Sequence, residues 1–331
     1  MAGLSNYLVG EYRNMLEYSE QVKKYGLTKM APLIISCSIT GGQHGAEANP
    51  NLPETPEAQA QSTADAYNAG ASLVHVHRRS PENLSLDTKK TEEYLEVNRM
   101  IREKCPDIII NNTCIGGRLI DTENKTTSDL LNVSLGAKPE VASIDITATT
   151  QRMKMKARKA PLSGRDEDYV KHFDYMLNDE DAIEILRQME LHGVKPEWEM
   201  YNLTDIKRLQ NLSAAGYAKG PHWVQMLFGG NGVFPNAQSM ILATEMLPPD
   251  SLFSVIGIGG AHNAMITLGI ILGHHVRIGL EDVVYYAPHQ LAESNAQLVE
   301  RAVRIARELG RPIATPAQAR EMLGLGTPRE Y

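Results

Sequence analysis

The chain has 331 residues, 42% of them hydrophobic, which suits one large α/β barrel with a sizeable core. Its net charge of −7 argues against nucleic acid or an anionic membrane surface as a partner, and no apolar run is long enough to span a membrane. Three scattered cysteines exclude a disulfide scaffold and a cysteine-based zinc site; since residues 1–30 also lack the apolar centre of a signal peptide, we expect a cytoplasmic protein.

Short apolar runs alternate with longer amphipathic segments along the chain. The apolar runs are predicted as strands over residues 33–39, 72–77, 108–112, 141–146, 197–201, 223–228, 253–258 and 275–278. The amphipathic segments are predicted as helices over residues 57–68, 89–104, 128–135, 181–192, 205–215, 237–246, 261–273 and 290–309. Regular alternation implies parallel strands with helical crossovers, and eight repeats over this length favour a closed (β/α)8 TIM barrel over an open sheet.

Local signals mark the ends of some of these helices. The run Thr55-Pro56-Glu57 predicts the start of the first barrel helix, with Thr at the cap and Pro at the first position, and Gly70 predicts its end. The pair Thr315-Pro316 predicts a last short helix. Residues 1–30 carry a partial apolar stripe and are predicted as an N-terminal helical extension, which leaves residues 31–331 as a single barrel domain.

The most informative motif is the pair His75 and His77 in the second predicted strand. Alternate residues of a strand share a face, so both imidazoles point the same way. Glu281 and Asp282 follow the last strand, and functional groups of such barrels gather where the strands end. Two imidazoles and a carboxylate suit zinc or another first-row divalent ion and leave a position open for substrate. The alternative is a pair of core histidines bonded to backbone and a solvated acidic pair.

Three further features extend this hypothesis. Arg277 could pair with Asp282 and lower its pKa, whereas exclusion of water would raise that pKa. The glycines Gly259 and Gly260 run into a helix whose amino terminus could bind phosphate, or they serve a simple turn. The segment after the fourth strand could meet the phosphates of a large anionic cofactor, or be a solvated loop or subunit contact, and it contains Arg152, Lys154, Lys156, Arg158, Lys159 and Arg165.

Several stretches agree in order and spacing with the β-keto acid cleavage enzymes, which this chain resembles over about residues 33–325. They are residues 39–42 and 49–56, GASLVHVHRR at 70–79, GVKPEWE at 193–199, GHHVRIGLED at 273–282, and 314–316. The resemblance implies a (β/α)8 barrel, usually a homotetramer, with bound zinc. It also implies transfer of CoA from acetyl-CoA onto part of a β-keto acid, which gives acetoacetate and a new acyl-CoA.

The resemblance also implies roles for single residues. By position, the zinc ligands would be His75, His77 and Glu281. Arg277 and Asp282 would generate the carbanion, and Glu199 would lie near the substrate and that pair. A β-keto acid can chelate zinc through its keto and carboxylate oxygens, which acidifies the intervening CH2 group, so that Asp282 takes the proton while Arg277 orients it.

Substrate contacts are expected from residues after several strands, namely Gln43, Arg79, Asn112, Thr113, Gly259 and Gly260. A family member has Glu at the position of Gln43, where it is associated with an amino substituent on the substrate. A neutral Gln argues against the same cationic substrate. The partners predicted are therefore a small β-keto acid and acetyl-CoA.

Three other functions compete with this hypothesis. A metal-dependent aldolase would also use a metal-held enolate, but would cleave its substrate without CoA. An amidohydrolase-like zinc hydrolase would carry its His-x-His motif on the first strand rather than the second. A non-catalytic barrel could bind a ligand and regulate a partner, although the combination of two His, Glu, Arg and Asp counts against it.

Overall fold

In the computed structural model, the described residues are 14–114, 120–121, 126–127 and 129–331. Eight parallel strands pair in chain order and close into a barrel, with β8 hydrogen-bonded to β1. They are β1 (Ile35–Ser38), β2 (Leu73–Val76), β3 (Ile109–Asn112), β4 (Val141–Asp145), β5 (Lys195–Met200), β6 (His222–Phe228), β7 (Ser251–Gly257) and β8 (His275–Ile278). The prediction of a (β/α)8 barrel is confirmed.

Helices connect the strands and flank the barrel. They are α1 (Met15–Tyr25), α2 (Pro56–Ala69), α3 (Thr91–Lys104), α4 (Asp129–Gly136), α5 (Asp179–Leu191), α6 (Leu203–Ala214), α7 (Ala237–Met246), α8 (His262–Ile271), α9 (Asn295–Glu308) and α10 (Pro316–Leu323). Thr55 caps α2 and Gly70 ends it with a φ of 119°, as the sequence predicts. No helix among the described residues combines the length and apolar character needed to cross a membrane.

The prediction of a helix over residues 290–309 is wrong at its start. The strand Gln290–Leu291 pairs with Tyr285–Ala287 in a small hairpin, so the chain is extended there. Helix α9 begins only at Asn295, where the Ser294 side chain accepts a hydrogen bond from the backbone of Gln297. A serine cap therefore marks the true start.

The basic segment after β4 is largely an antiparallel hairpin and not a loop. Its strands are Ala148–Met155 and Tyr169–Met176, and we call them the long hairpin. In the first strand, buried Gln151 and Met155 alternate with exposed basic residues. This alternation has the period of a strand with one covered face.

The core lies mainly between the barrel and its helices. Val74 and Val76 of β2 share a buried cluster with alanines of α2, which directs the intervening His75 to the barrel interior. At the amino-terminal end of the barrel, Leu323 of α10 belongs to a second cluster with Trp223. The barrel is thus filled at one end and carries polar side chains toward the other.

Helix α1 lies beside the barrel, where the Tyr18 hydroxyl donates a hydrogen bond to the carbonyl of Ile271 at 3.0 Å. Residues 1–13 fall outside the described part of the chain. The division into an extension over 1–30 and a barrel domain over 31–331 therefore stays a prediction.

Buried histidines predict loss of stability in acid. Burial, aided by Arg311, lowers the pKa of His274 to about 3. The unfolded chain therefore binds more protons than the folded chain between about pH 6.5 and pH 3, and the free energy of unfolding falls as the pH is lowered through this window. His274 should contribute up to about 1.4 kcal/mol per pH unit.

The measurement is urea unfolding of wild type and His274→Leu at several pH values between 8 and 4.5. The variant should show a shallower loss of stability below pH 6.5, whatever its stability at pH 8. Equal slopes for the two proteins would contradict the prediction.

Candidate metal and catalytic centre

Strand β2 and the loop after β8 bring the three predicted metal ligands together. The imidazole centroids of His75 and His77 lie 5.1 Å apart. The Glu281 carboxylate lies 3.8 Å from His75 Nε2 and 3.5 Å from His77 Nε2. One ligand atom from each residue lies within 4.8 Å of the others. The geometry therefore allows one small cation to contact all three side chains.

The residues present fit such a cation. His75 Nε2 and Glu281 Oε2 are buried and have no hydrogen-bond partner among the described residues. An unsatisfied buried polar group costs about 1–3 kcal/mol, which coordination of a cation would remove. Imidazole and carboxylate are ligands that zinc and related divalent ions accept.

A second group of possible ligands, His75 with Glu197 and Glu199, lies equally close together. Its carboxylates already have protein partners. Glu197 accepts hydrogen bonds from Asn111, Trp223 and Gln225, each at 2.7 Å. Glu199 accepts one from Arg277 at 2.6 Å. Glu281 also accepts from Arg277 through Oε1, but its Oε2 atom has no hydrogen-bond partner among the described residues, so the group that contains Glu281 fits a cation better.

Asp87 orients His77, and the sequence analysis gave it no role. Its Oδ2 atom lies 2.9 Å from His77 Nδ1, which leaves Nε2 turned toward Glu281. A carboxylate behind a ligand histidine is a common arrangement at metal sites. Burial opposes protonation of His77, but Asp87 and Glu281 outweigh it and raise the pKa to about 10. Asp87 reaches the site because Asn83–Asp87 pairs with Arg79–Ser80 in a hairpin. No motif spacing in the sequence indicates this hairpin.

Electrostatics differ at the other two predicted ligands. Burial, followed by the nearby Arg277, lowers the pKa of His75 well below its usual value, so this imidazole is neutral. Burial disfavours ionised Glu281, but Arg277, His77 and His75 outweigh it and hold its pKa well below the usual range. A neutral imidazole and an ionised carboxylate are the forms that bind a metal, so a cation would have to displace the proton that the raised pKa places on His77.

Arg277 forms the centre of a buried cluster of carboxylates. It donates to Glu199 and Glu281 at 2.6 Å each, and to both oxygens of Asp282 at 3.2 Å. The pairing with Asp282 that the sequence suggests is therefore present. Burial raises the pKa of Asp282 to about 7, although Arg277 acts in the opposite direction.

Glu197 is a further buried acid that the sequence analysis placed on β5 without a role. Its Oε1 lies 3.8 Å from His75 Nδ1, on the side of the ring away from Glu281. Burial, and then Glu199, raise its pKa to about 8. The alternation Glu197, Trp198, Glu199 in β5 could have indicated it, because both acids must share the inward face.

A cavity of about 1140 Å³ opens over this cluster, and its lining includes His77, Glu199, Arg277, Glu281 and Asp282. Among the predicted substrate contacts, Gln43, Thr113, Gly259 and Gly260 line it. Asn112 and Arg79 are buried behind the lining instead. Arg79 donates to the carbonyl of His44 at 2.7 Å.

The basic residues of the long hairpin and its connection differ in their surroundings. Arg158 is buried and bonded to Glu47 and Glu54 at 2.6–2.8 Å, and Arg165 is bonded to Glu47 at 2.7 Å. These two cations are used within the fold, so the expectation of a solvated loop is wrong for them. Lys154, Lys156 and also Arg165 line the cavity.

A sequence profile of the beta-keto acid cleavage enzymes matches residues 32–325. The chain belongs to the β-keto acid cleavage enzyme family. It is 33% identical over 297 residues to 3-keto-5-aminohexanoate cleavage enzyme of Acetoanaerobium sticklandii, covering 89% of this chain and 99% of that protein. It is 30% identical over 299 residues to 3-oxoadipate:acetyl-CoA acetyltransferase of Cupriavidus necator, covering 89% and 95%.

A solved structure of ObcA in its apo form has the same fold, with a TM-score of 0.61 at 18% identity. The match covers 84% of this chain and 66% of ObcA. Membership of the family confirms the predicted resemblance and the enzyme class, which is a Claisen-type acyltransferase that cleaves a carbon–carbon bond.

Gly41 offers a test of the position of Glu281. It has a φ of 71°, and a Cβ atom there would lie 2.6 Å from Glu281 Cγ. We expect Gly41→Ala to displace this carboxylate, so that one of the three ligands moves away. The amount of metal that the protein binds should then fall about tenfold or more.

Gly216→Ala is the matched control, because Gly216 has a φ of 81° and open space around it. Both variants carry the same kind of backbone strain, of about 1 kcal/mol, but only the first contacts Glu281. Metal content by elemental analysis and thermal melting compare them. Full metal content in Gly41→Ala would argue against ligation by Glu281.

Proposed function

We propose that this enzyme condenses a β-keto acid with acetyl-CoA and cleaves the product to acetoacetate and a new acyl-CoA, using a divalent first-row metal, in the first place zinc. The proposal rests most on one observation, the unsatisfied His75 and Glu281 atoms that face each other beside the Arg277 cluster. The printed activities of the relatives support the reaction type.

His75, His77 and Glu281 would hold the metal. Bound there, a divalent cation would act as a Lewis acid toward the keto and carboxylate oxygens of a β-keto acid and make the intervening CH2 group more acidic. Asp87 keeps the His77 ring in position from behind, and burial of His75 and His77 keeps water from competing for the two imidazoles.

Asp282 is the residue that we assign as general base. A pKa of about 7 suits a base that works near neutral pH. Its Oδ2 atom accepts hydrogen bonds from Ser38 at 2.6 Å and from Arg277 Nε at 3.2 Å. Oδ1 accepts from Arg277 alone in the described structure, so we assign the incoming proton to Oδ1.

Arg277 and Glu199 keep this base in place through the proton transfer. Burial disfavours the charged guanidinium, but Asp282, Glu281 and Glu199 together raise its pKa well above the usual range. When Asp282 becomes neutral, Arg277 still has Glu199 and Glu281 as partners. The substrate carbanion then adds to the thioester carbonyl of acetyl-CoA and expels CoA as a thiolate. The thiolate attacks the substrate's own keto carbon, the bond between that carbon and the α-carbon breaks, and the acetoacetate carbanion takes back the proton held by Asp282.

Two neighbouring carboxylates provide a matched test. Glu281→Gln should lose metal and activity together. Asp282→Asn should keep its metal and lose about 10²–10⁴-fold in turnover, which is the usual contribution of a general base. The assay follows acetoacetate from acetyl-CoA and a panel of β-keto acids, on protein of measured metal content.

Several outcomes would contradict the proposal. Unchanged turnover in Asp282→Asn would remove this residue from the mechanism. Full metal content in both Glu281→Gln and His75→Ala would exclude the assigned site. Cleavage at the same rate without acetyl-CoA would instead indicate a metal aldolase. The expectations of a cytoplasmic location and a homotetramer stay predictions.

A further inference from the structure

The long hairpin brings a lysine into the cavity. Lys171 lies directly opposite Met153 in the antiparallel register, so their side chains share one face of the hairpin. Gln151 and Met155 belong to the same face, and all four residues line the cavity. The partly buried ammonium group of Lys171 therefore lies on the same face of the hairpin as three neutral side chains, those of Gln151, Met153 and Met155.

Lys171 contacts a residue that follows directly after a neighbour of the predicted metal centre. Its ammonium nitrogen lies 3.5 Å from Gln43 Oε1. The preceding Gly42 packs against the ligand ring, since a Cβ atom on it would lie 3.0 Å from His77 Nδ1. A substrate held at the metal by its keto acid end could thus direct its far end toward Gln43 and Lys171.

The electrostatic surroundings of Lys171 favour an anion at this point. Burial lowers the pKa of the ammonium group; Asp87 acts against this, whereas Arg165 and Arg79 add to it. Asp87 is already bonded to His77, and Arg165 to Glu47. A bound carboxylate would offset both the burial and the repulsion between the cations.

We propose that Lys171 and Gln43 bind a carboxylate at the far end of the substrate, so that the preferred β-keto acid is a diacid. This inference rests on the proposed function. Gln43 accepts a hydrogen bond from Lys171 through Oε1, and its NH2 group can donate to the same carboxylate. A substrate with an amine at that end would instead meet a cation, which like charge disfavours.

The experiment measures binding without turnover. Titration calorimetry on metal-loaded enzyme, in the absence of acetyl-CoA, compares 3-oxoadipate with 3-oxohexanoate, which has a methyl group in place of the far carboxylate, and with 3-oxo-5-aminohexanoate. We expect 3-oxoadipate, the diacid, to bind at least about tenfold more tightly than 3-oxohexanoate, whose far end is neutral. A charge-assisted hydrogen bond to the far carboxylate allows a difference of this size. We call 3-oxohexanoate the neutral acid below, after its far end.

Lys171→Met should abolish this preference, and Lys171→Glu should shift it toward the amine. Lys159→Met is the control, because it removes the same charge from the connection of the long hairpin at an exposed position outside the cavity lining. It should leave the affinity ratio of diacid to neutral acid unchanged.

Equal binding of the diacid and the neutral acid by the wild type, or a preference that persists in Lys171→Met, would overturn the inference. A parallel acetoacetate assay separates it from the proposed function. A diacid preference in binding without acetoacetate from any of the three acids would overturn the function and keep the role of Lys171. Acetoacetate formed with no preference in binding would keep the proposed function and overturn the role of Lys171.

Discussion

The centre of this enzyme depends on one buried guanidinium that is shared among three carboxylates. Arg277 is 3% exposed and donates to Glu199, Glu281 and Asp282. Three carboxylates share this one cation in a region with little water, so their need for positive charge is unevenly met. Breaking such a buried pair by removing one partner costs about 3–5 kcal/mol, so the guanidinium is held firmly in place. The other properties of the site follow from this imbalance.

The uneven sharing of Arg277, together with the other neighbours of each carboxylate, explains why the adjacent Glu281 and Asp282 differ in protonation. Glu281 lies beside both imidazoles as well as Arg277, and its pKa is held well below the usual range. Asp282 turns to Ser38 and Arg277, and burial together with the Glu281 charge raises its pKa to about 7. Residues next to each other in the chain thus suit opposite tasks, one as a metal ligand and the other as a proton acceptor.

Much of this arrangement could be predicted from the sequence, because it depends on short-range periodicity. Eight apolar runs at regular intervals give the barrel, and the spacing of His75 and His77 places both rings on one face of β2. The carboxyl ends of the strands converge in any such barrel. It follows that Glu281 and Asp282 meet the histidines, although more than two hundred residues separate them.

The parts that sequence analysis missed depend on how irregular segments fold over the barrel mouth. Asp87 and Lys171 both arrive on antiparallel hairpins that are not part of the barrel pattern. The alternation of Gln151, Met153 and Met155 with basic residues has the strand period, but nothing in it indicates which way the hairpin leans. Arg79 shows the same limit in reverse, because it is buried against the carbonyl of His44 and does not belong to the cavity lining.

The strand ends and the long hairpin contribute different residues to the cavity, and this separation bears on which substrate is accepted. In the proposed mechanism, the strand ends supply the metal ligands, the base and Arg277, all of which must keep their mutual distances for the reaction to proceed. The long hairpin, which is not part of the barrel, contributes Lys171 and its neighbours to the same cavity. A change of charge on the hairpin, or at Gln43, can therefore alter which far end of a substrate is accepted while the reaction at the keto acid end stays the same.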